Sequence, residues 1–126
     1  MSLKEKTSDL KARMQNALQG GGNKAIEKQK GSGKMTARER ILALLDSSSF
    51  HEYDLFVEHA AKDFDMDKKH LPGDGVITGT GSISGHPVCI YAQDFTVAGG
   101  SLGFMHAKKI TKIMDNAMRL KVPIIG

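Results

Sequence analysis

The sequence has few of the residues and patterns that mark specialised protein classes. It has one cysteine, three prolines and no tryptophan among 126 residues. An internal disulfide is therefore excluded, and we interpret Cys89 as the reduced thiol of a cytoplasmic protein. The chain contains no run of about 18 apolar residues, so no membrane-spanning helix is expected. The first segment, MSLKEKTSDLKARMQ, is charged and has no apolar core. We therefore expect neither a secretory signal nor a transit peptide.

Composition and charge then favour one soluble domain with a basic N-terminal third. The hydrophobic fraction is 40% and the charged fraction 25%, typical of a globular protein of this length. Residues 1–40 carry ten Lys or Arg against four acids, whereas the remainder carries eight against ten. Such a surplus attracts a phosphate-bearing ligand, or else coats a solvated helical arm. No aromatic residues alternate with these charges, so nucleic acid is not expected as a partner.

Two helices and a flexible break are predicted in this basic third. The first helix has an apolar face made of Leu3, Leu10, Met14, Ala17 and Leu18, and it should end at Gly20–Gly22 because glycine disfavours helix. A second soft point follows at residues 30–35. Thr36 and Glu39 then have the spacing of a capping box, which predicts a helix start. The apolar face of that helix is expected to comprise Ile41, Leu42, Leu44 and Leu45. Asp46–Ser49 should end it as a polar turn.

The middle of the chain predicts a loop followed by a β-hairpin. Residues 58–75 are polar and charged, which indicates a long surface loop with at most one helical turn. The runs VITGTGSI and PVCIYAQDF are rich in strand-forming residues and are separated by SGH, which is typical of a hairpin. Gly79 and Gly81 share one face of the first strand, so we expect close packing there. The second strand is apolar on both faces around Cys89, which predicts that both faces are covered.

A long helix and a final strand are predicted after the hairpin. Apolar residues recur at helical spacing, and Lys108, Lys109, Lys112 and Arg119 should lie off their face; the face comprises Leu102, Met105, His106, Ile110, Ile113, Met114, Ala117 and Leu120. VPIIG then reads as a buried strand with Pro123 at its start or edge. Strand, helix and strand imply a right-handed parallel connection, and the hairpin in front makes the unit ββα.

The glycine-rich turn Ala98–Ser101 is the first candidate site. It lies where a strand gives way to a helix, and helix N-termini offer unpaired N–H groups that bind phosphates or oxyanions. Two glycines let a ligand approach the main chain, and Ser101 can cap the helix. The alternative is an ordinary tight turn followed by an ordinary cap. The turn matches neither the dinucleotide-binding fingerprint nor the P-loop.

The remaining candidates favour structural interpretations. His106 falls on the inner face of the long helix, where a hydrogen-bonded structural histidine is the more common outcome. Asp63, Asp65 and Asp67 alternate without the glycine and glutamate of a calcium loop, so we interpret them as a solvated acidic run. Asp94 is equally a functional carboxylate and a turn-former. The five histidines and Cys89 show no ligand spacing, and no metal site is predicted.

Three segments resemble one known family. GKMTARERILALLDSSSFHEYDLFVEH, PGDGVITGTGSISGHPVCIYAQDFTVAGGSLG and HAKKITKIMDNAMRLKVPIIG are together similar to the N-terminal part of the carboxyltransferase (β) subunit of biotin-dependent acyl-CoA carboxylases. The branch is that of propionyl-CoA carboxylase β chains and methylmalonyl-CoA decarboxylase α subunits. The likeness covers residues 8–126, and QDFTV followed by GGSL is its most specific part.

The resemblance implies an α/β fold. Such subunits have two crotonase-like (ClpP/crotonase) domains, each a spiral of ββα units. We therefore expect an N-terminal helical arm at residues 1–50. Residues 51–126 would be the first part of the N-terminal crotonase-like carboxyltransferase domain, truncated after VPIIG.

The resemblance also implies an activity, partners and site residues. Carboxylate would move between carboxybiotin and the α-carbon of propionyl-CoA or methylmalonyl-CoA, without a metal. The biotin would be carried on a partner and charged by a biotin carboxylase subunit, and the family's full subunits form homo-oligomers, expected to be hexamers. Ala98, Gly99, Gly100 and Ser101 would line the CoA side of the pocket, and Lys34 and Arg38 would lie near CoA phosphates.

The end of the sequence leaves the activity of the chain itself open. The family's oxyanion glycines, in a Ser-Gly-Gly-Ala-Arg segment, are expected beyond Gly126, and so are the second domain and the catalytic residues. We therefore expect a fragment inactive alone, whose Ile124 and Ile125 favour association with itself or a partner. The alternatives are a non-catalytic CoA-binding or oligomer-assembly module, and the carboxyltransferase subunit of a sodium-pumping methylmalonyl-CoA decarboxylase.

Overall fold

The computed structural model describes residues 1–126, the whole chain. The helices are α1 Leu3–Leu18, α2 Asn23–Gly31, α3 Ala37–Leu44 and α4 Phe104–Leu120. The strands are β1 His51–Tyr53, β2 Val76–Ile83, β3 His86–Gln93 and β4 Ile124–Ile125. Short 3₁₀ turns lie at Met66–Lys68, Pro72–Gly75 and Ala98–Gly100. None of the helices combines the length and the apolarity needed to cross a lipid bilayer.

The four strands form one sheet in chain order, β1-β2-β3-β4. The first two pairings are antiparallel, and β4 runs parallel to β3 after the α4 connection. The predicted hairpin and the predicted parallel return are both confirmed. Pro123 directly precedes β4, and its carbonyl accepts a hydrogen bond from Cys89 N at 2.9 Å.

The hairpin turn is held by the polar segment that follows α3. Ser84 and Gly85 both have positive φ, 50° and 79°, which suits the twist of a two-residue hairpin loop. The Asp46 carboxylate accepts from Gly85 N at 2.8 Å, Ser84 N at 2.9 Å and Ser82 Oγ at 2.7 Å. These hydrogen bonds, above all that from Gly85, lower the pKa of Asp46. Asp46 therefore fixes the end of the sheet opposite the candidate site.

The core lies on both faces of β3, as the apolar run predicts. One face packs against α3 in a cluster of Ala37, Ile41, Leu45, Ile77, Val88 and Ile90. The other packs against α4 through Cys89, Ile113 and Ala117. The capping box of α3 is confirmed, with Glu39 N donating to Thr36 Oγ1 at 3.2 Å. The expected apolar face of α3 is half wrong, because Leu42 and Leu44 are exposed. The division of the chain at residue 50 stays a prediction.

The N-terminal arm has few contacts with the rest of the protein. Helix α1 ends before the three glycines, as predicted, and it buries none of its residues. Helix α2 between the two soft points was not predicted. The arm is tied down where Gly21 N donates to Thr96 Oγ1 at 3.1 Å. Ile124 of β4 is 39% exposed and Ile125 packs partly against the core, while the association expected from them stays a prediction.

Candidate functional site

Two left-handed turns lie against each other beyond the end of β3. The first, which we call the GDG turn, is Gly73–Gly75, with φ values of 63°, 47° and 73°. The second, the AGG turn, is Ala98–Gly100, with φ values of 46°, 65° and 71°. A Cβ built on Gly75 would lie 3.4 Å from the carbonyl oxygen of Val97, so the turns are in close contact. Each contains one non-glycine residue in a strained conformation, and such strain clusters at functional sites.

The AGG turn brings the four predicted residues, 98–101, into one compact exposed loop. Gly100 N donates to Val97 O at 2.8 Å, and Ser101 N and Oγ both donate to Ala98 O, at 3.3 and 2.8 Å. The N–H of Gly99 donates to no acceptor in the protein, and the residue is exposed. The N–H of Ala98, also exposed, likewise has no acceptor. The turn therefore offers two free backbone donors to a ligand carbonyl or phosphate.

The AGG turn does not open the long helix, so that prediction is wrong. Ser101 has extended backbone angles, and α4 begins at Phe104 with Gly103 as an N-cap that supplies no side chain. The cap comes instead from the GDG turn, since Asp74 Oδ2 accepts from His106 N at 2.8 Å. The positive end of the α4 dipole therefore already holds a carboxylate. Any ligand of the AGG turn must use the turn's own amides.

Lys109 is buried, although the helical pattern places it off the apolar face. It is 3% exposed, and its ammonium donates to Gly73 O at 2.9 Å and to Val76 O at 2.5 Å. Burial lowers the pKa of Lys109 to about 8, while the carboxylates of Glu52 and Asp54 partly oppose that shift. The two carbonyl oxygens beneath α4 accept hydrogen bonds from the Lys109 ammonium, because buried carbonyls need a donor. This requirement places Lys109 inside the protein, although the apolar pattern of the helix predicts that it lies outside.

A Lys109→Met variant should lose a pH-dependent gain in stability. The folded pKa of about 8 lies below the ordinary value of 10.5. Between those values the unfolded chain binds more protons, so the wild-type free energy of unfolding rises by about 2 kcal/mol from pH 8 to pH 10. Methionine does not titrate and lacks this rise. Urea unfolding at a series of pH values measures it, with the exposed Lys108→Met as control. Equal pH slopes in wild type and Lys109→Met would contradict the prediction.

A basic groove leads to the AGG turn. It has a volume of about 570 Å³ and is lined by Gln29, Gly33, Lys34, Met35, Arg40 and Phe95. The six ion pairs of the protein include neither Lys34 nor Arg40. A Cβ built on Gly100 would lie 3.0 Å from Phe95 Cδ1, so the Phe95 ring joins the groove to the turn. The groove thus combines two unpaired cations with an aromatic face, and the AGG turn lies on the other side of Phe95.

Arg38 lies apart from this groove. Its guanidinium forms a two-point ion pair with Glu52 at 2.6 and 3.0 Å, and it lines a separate cavity of about 280 Å³ beneath the arm. Lys34 and Arg38, predicted together, are therefore not brought together, and their contact with CoA phosphates stays a prediction. Sequence reasoning missed Arg40 and Phe95. Residues two apart on a helix differ by about 200° in direction, so Arg40 had to face away from Arg38.

The other candidates have structural roles. His106 is 0% exposed and its Nδ1 lies 2.8 Å from Asp74 O, in agreement with a structural histidine. Asp94 is a turn-former, because its Oδ1 accepts from Thr96 N at 2.9 Å and Thr96 Oγ1 at 2.6 Å. The acidic run around Asp65 is exposed. No group of three or more His, Cys, Asp or Glu side chains is arranged to hold a metal ion.

Comparison with known proteins gives one consistent family. The profile described as carboxyl transferase domain matches residues 28–126. The methylmalonyl-CoA decarboxylase subunit alpha of Veillonella parvula is 50% identical over 125 residues, which is 99% of this chain and 25% of that protein. The mitochondrial propionyl-CoA carboxylase beta chain of Sus scrofa is 56% identical over 114 residues, 89% of this chain and 21% of that protein. The chain spans about a quarter of the length of the curated relatives it matches.

A solved structure agrees with the sequence matches. Transcarboxylase 12S with methylmalonyl-coenzyme A and methylmalonic acid bound, described as a hexamer assembly, superposes with a TM-score of 0.95. The identity is 41% over 98% of this chain and 24% of that one. The crotonase-like α/β fold expected from the resemblance is confirmed.

Proposed function

Since the chain belongs to the carboxyl transferase family, we propose that it forms the N-terminal part of an acyl-CoA carboxyltransferase. The reaction moves a carboxylate between carboxybiotin and the α-carbon of a short-chain acyl-CoA. The superposition on transcarboxylase 12S with methylmalonyl-coenzyme A bound carries this proposal, because it extends over 98% of the chain. The names of the relatives support propionyl-CoA or methylmalonyl-CoA as substrate.

In this proposal the basic groove binds the CoA end of the substrate. Lys34 and Arg40 neutralise phosphate groups, and Phe95 gives the ligand an apolar surface. Ala98–Ser101 line the pocket beyond, with the Gly99 amide directed to a ligand oxygen. Arg38 acts indirectly, since its ion pair with Glu52 ties α3 to β1.

The same proposal assigns the partners. Carboxybiotin, brought on a biotin carrier protein that a biotin carboxylase subunit charges, is the second substrate, and no residue of this chain is assigned to it. Self-association through the surface around Ile124 and Ile125 supplies the oligomer. The chain alone should bind acyl-CoA more readily than it catalyses transfer, because no oxyanion donors beyond those of the AGG turn are assigned within it.

A Lys34→Ala/Arg40→Ala double variant is expected to bind methylmalonyl-CoA about thirtyfold more weakly than wild type, because two charge-assisted phosphate contacts worth about 2 kcal/mol are lost. Isothermal titration calorimetry measures the affinity. Adenosine 3′,5′-bisphosphate should lose affinity in parallel, whereas pantetheine should not.

Lys4→Ala/Lys11→Ala is the matched control, since it removes the same charge from the exposed face of α1. Equal losses of affinity in the two double variants would mean that net charge alone causes the loss. The groove would then not be the binding site for CoA. Absence of wild-type binding to any acyl-CoA would overturn the proposed function of this chain.

A decarboxylase role is the second candidate, favoured by the 50% identity to the Veillonella parvula decarboxylase subunit. A non-catalytic CoA-binding or assembly module is the third. Carboxyl transfer between carboxybiotin and propionyl-CoA, measured in both directions, separates the two transferase roles from the module. Acyl-CoA binding without turnover in either direction favours the module.

A further inference from the structure

The GDG turn is held from above by helix α4. The backbone N–H of His106 donates to Asp74 Oδ2 at 2.8 Å, and His106 Nδ1 lies 2.8 Å from Asp74 O. Lys109 adds two hydrogen bonds, to the carbonyl oxygens on either side, Gly73 and Val76. Asp74 is 6% exposed, so these contacts are shielded from water. One carboxylate and one ammonium thus replace the hydrogen bonds that the irregular backbone of the turn cannot make with itself.

The AGG turn is attached to the GDG turn through Val97 and the start of the segment after β3. Asp94 N donates to Gly75 O at 2.7 Å, which fixes the point where the chain leaves β3. Val97 is 2% exposed, and a Cβ built on Gly75 would lie 3.8 Å from Val97 Cβ. Gly100 N is bonded to Val97 O. A displacement of the GDG turn therefore moves Val97, and with it the AGG turn.

Asp74 is the residue on which this chain of contacts depends. It has left-handed backbone angles, φ 47° and ψ 38°, which a non-glycine residue adopts only when its surroundings hold it there. Its carboxylate also replaces the side-chain cap that Gly103 cannot provide. A Cβ at position 103 would lie 2.9 Å from Asp74 Oδ2, so any side chain there would crowd this contact.

We propose that Asp74 is a positioning residue that, by capping α4 and locking the GDG turn, fixes the AGG turn in its ligand-binding conformation. The assignment rests on the proposed function, in which the AGG turn binds acyl-CoA. Asp74 touches no ligand in this account and acts through Gly75 and Val97.

The hydrogen bonds also define the tautomer of His106. Asp74 O is an acceptor, so Nδ1 carries the proton, and Nε2 at 3.2 Å then accepts from the Gln93 side-chain amide. Nitrogen chemical shifts of the ring report this tautomer. These shifts therefore show, without any ligand, whether the GDG turn keeps its contact with His106.

The test compares Asp74→Ala with Asp74→Asn. Asparagine keeps an oxygen that accepts from His106 N, whereas alanine does not. In Asp74→Ala we expect amide exchange at Gly100 and Ser101 to accelerate at least about tenfold, and methylmalonyl-CoA affinity to fall about tenfold. Asp74→Asn should restore most of both, and wild type and Asp74→Asn should keep the Nδ1–H tautomer of His106.

Asp46→Asn is the control for general destabilisation, because it weakens the carboxylate cap of the hairpin turn at the opposite end of the sheet. It should lower stability without changing exchange at Gly100 or affinity. Gly103→Ala, which crowds the Asp74 carboxylate, provides a milder second variant should Asp74→Ala fail to fold. The proposal would be overturned if amide exchange at Gly100 and Ser101 were as slow in Asp74→Ala or Gly103→Ala as in wild type. It would also be overturned if Asp46→Asn accelerated this exchange equally.

The two proposals fail differently. If wild type binds no acyl-CoA, the proposed function fails, while exchange and the His106 tautomer still decide whether Asp74 positions the turn. If Asp74→Ala binds acyl-CoA like wild type but amide exchange at Gly100 is faster, Asp74 positions the AGG turn and the turn is not the ligand site. That result would reject the proposal that Asp74 supports ligand binding.

Discussion

An Ile41→Ala variant should lose about 3 kcal/mol of unfolding free energy, because truncating a buried isoleucine removes its transfer energy and leaves a cavity. Ile41 is 1% exposed and sits in the cluster that joins α3 to β2 and β3. No other helix contributes to this cluster, so little can move in to fill the space. Urea unfolding followed by circular dichroism measures the loss.

Leu42→Ala is the matched control on the same helix. Leu42 is 55% exposed, although the sequence pattern places it beside Ile41 on the apolar face. Its truncation should cost less than about 1 kcal/mol. Similar losses at the two positions would mean that both side chains are buried, contrary to the exposure of Leu42.

A Gly79→Ala variant is expected to lose about 3 kcal/mol, since overpacking against backbone forces a strand to move. A methyl group at position 79 would collide with the carbonyl oxygen of His51 and lie 2.7 Å from Phe50 Cε2. Strand β1 would have to leave β2, and the Arg38–Glu52 ion pair would go with it. Thermal unfolding measures the loss of stability, and faster amide exchange in β1 would show that this strand has separated from β2.

Gly31→Ala makes the same chemical change where there is room for it. No atom lies within 4 Å of a Cβ at position 31, and the residue ends helix α2. Alanine favours helix over glycine by up to about 1 kcal/mol, so this variant should be neutral or more stable. A tolerated Gly79→Ala would show that β1 yields without cost, contrary to the close packing predicted from the sequence and found in the structure.

Elements governed by contacts between near neighbours could be predicted from the sequence. The capping box of Thr36 spans three residues, and the β2–β3 hairpin closes through Ser84 and Gly85. The close packing of Gly79 and Gly81 was also predictable, because small residues on one strand face leave space that a neighbour must fill. The AGG turn could be located in the sequence because its residues are adjacent in the chain.

Features set by contacts far apart in the chain could not be predicted in this way. The start of α4 depends on Asp74, which lies 32 residues before His106. The burial of Lys109 depends on carbonyls of the same distant turn. The groove needs Arg40 and Phe95 side by side, and only the packing of α3 on β3 places them there. The resemblance supplied the fold and the family, while it left the role of Asp74 unmarked.

The strand order has a consequence for the time course of folding. The hairpin pairs residues separated by a two-residue loop, a step that takes microseconds in small peptides. Strand β4 pairs with Cys89 and Ile90 only after the whole of α4 has crossed the sheet, so its loop-closure entropy is much larger and only two residue pairs offset it. We therefore expect strand β4 to join the sheet after the β2–β3 hairpin during refolding, and to detach before the hairpin opens when the native protein opens locally.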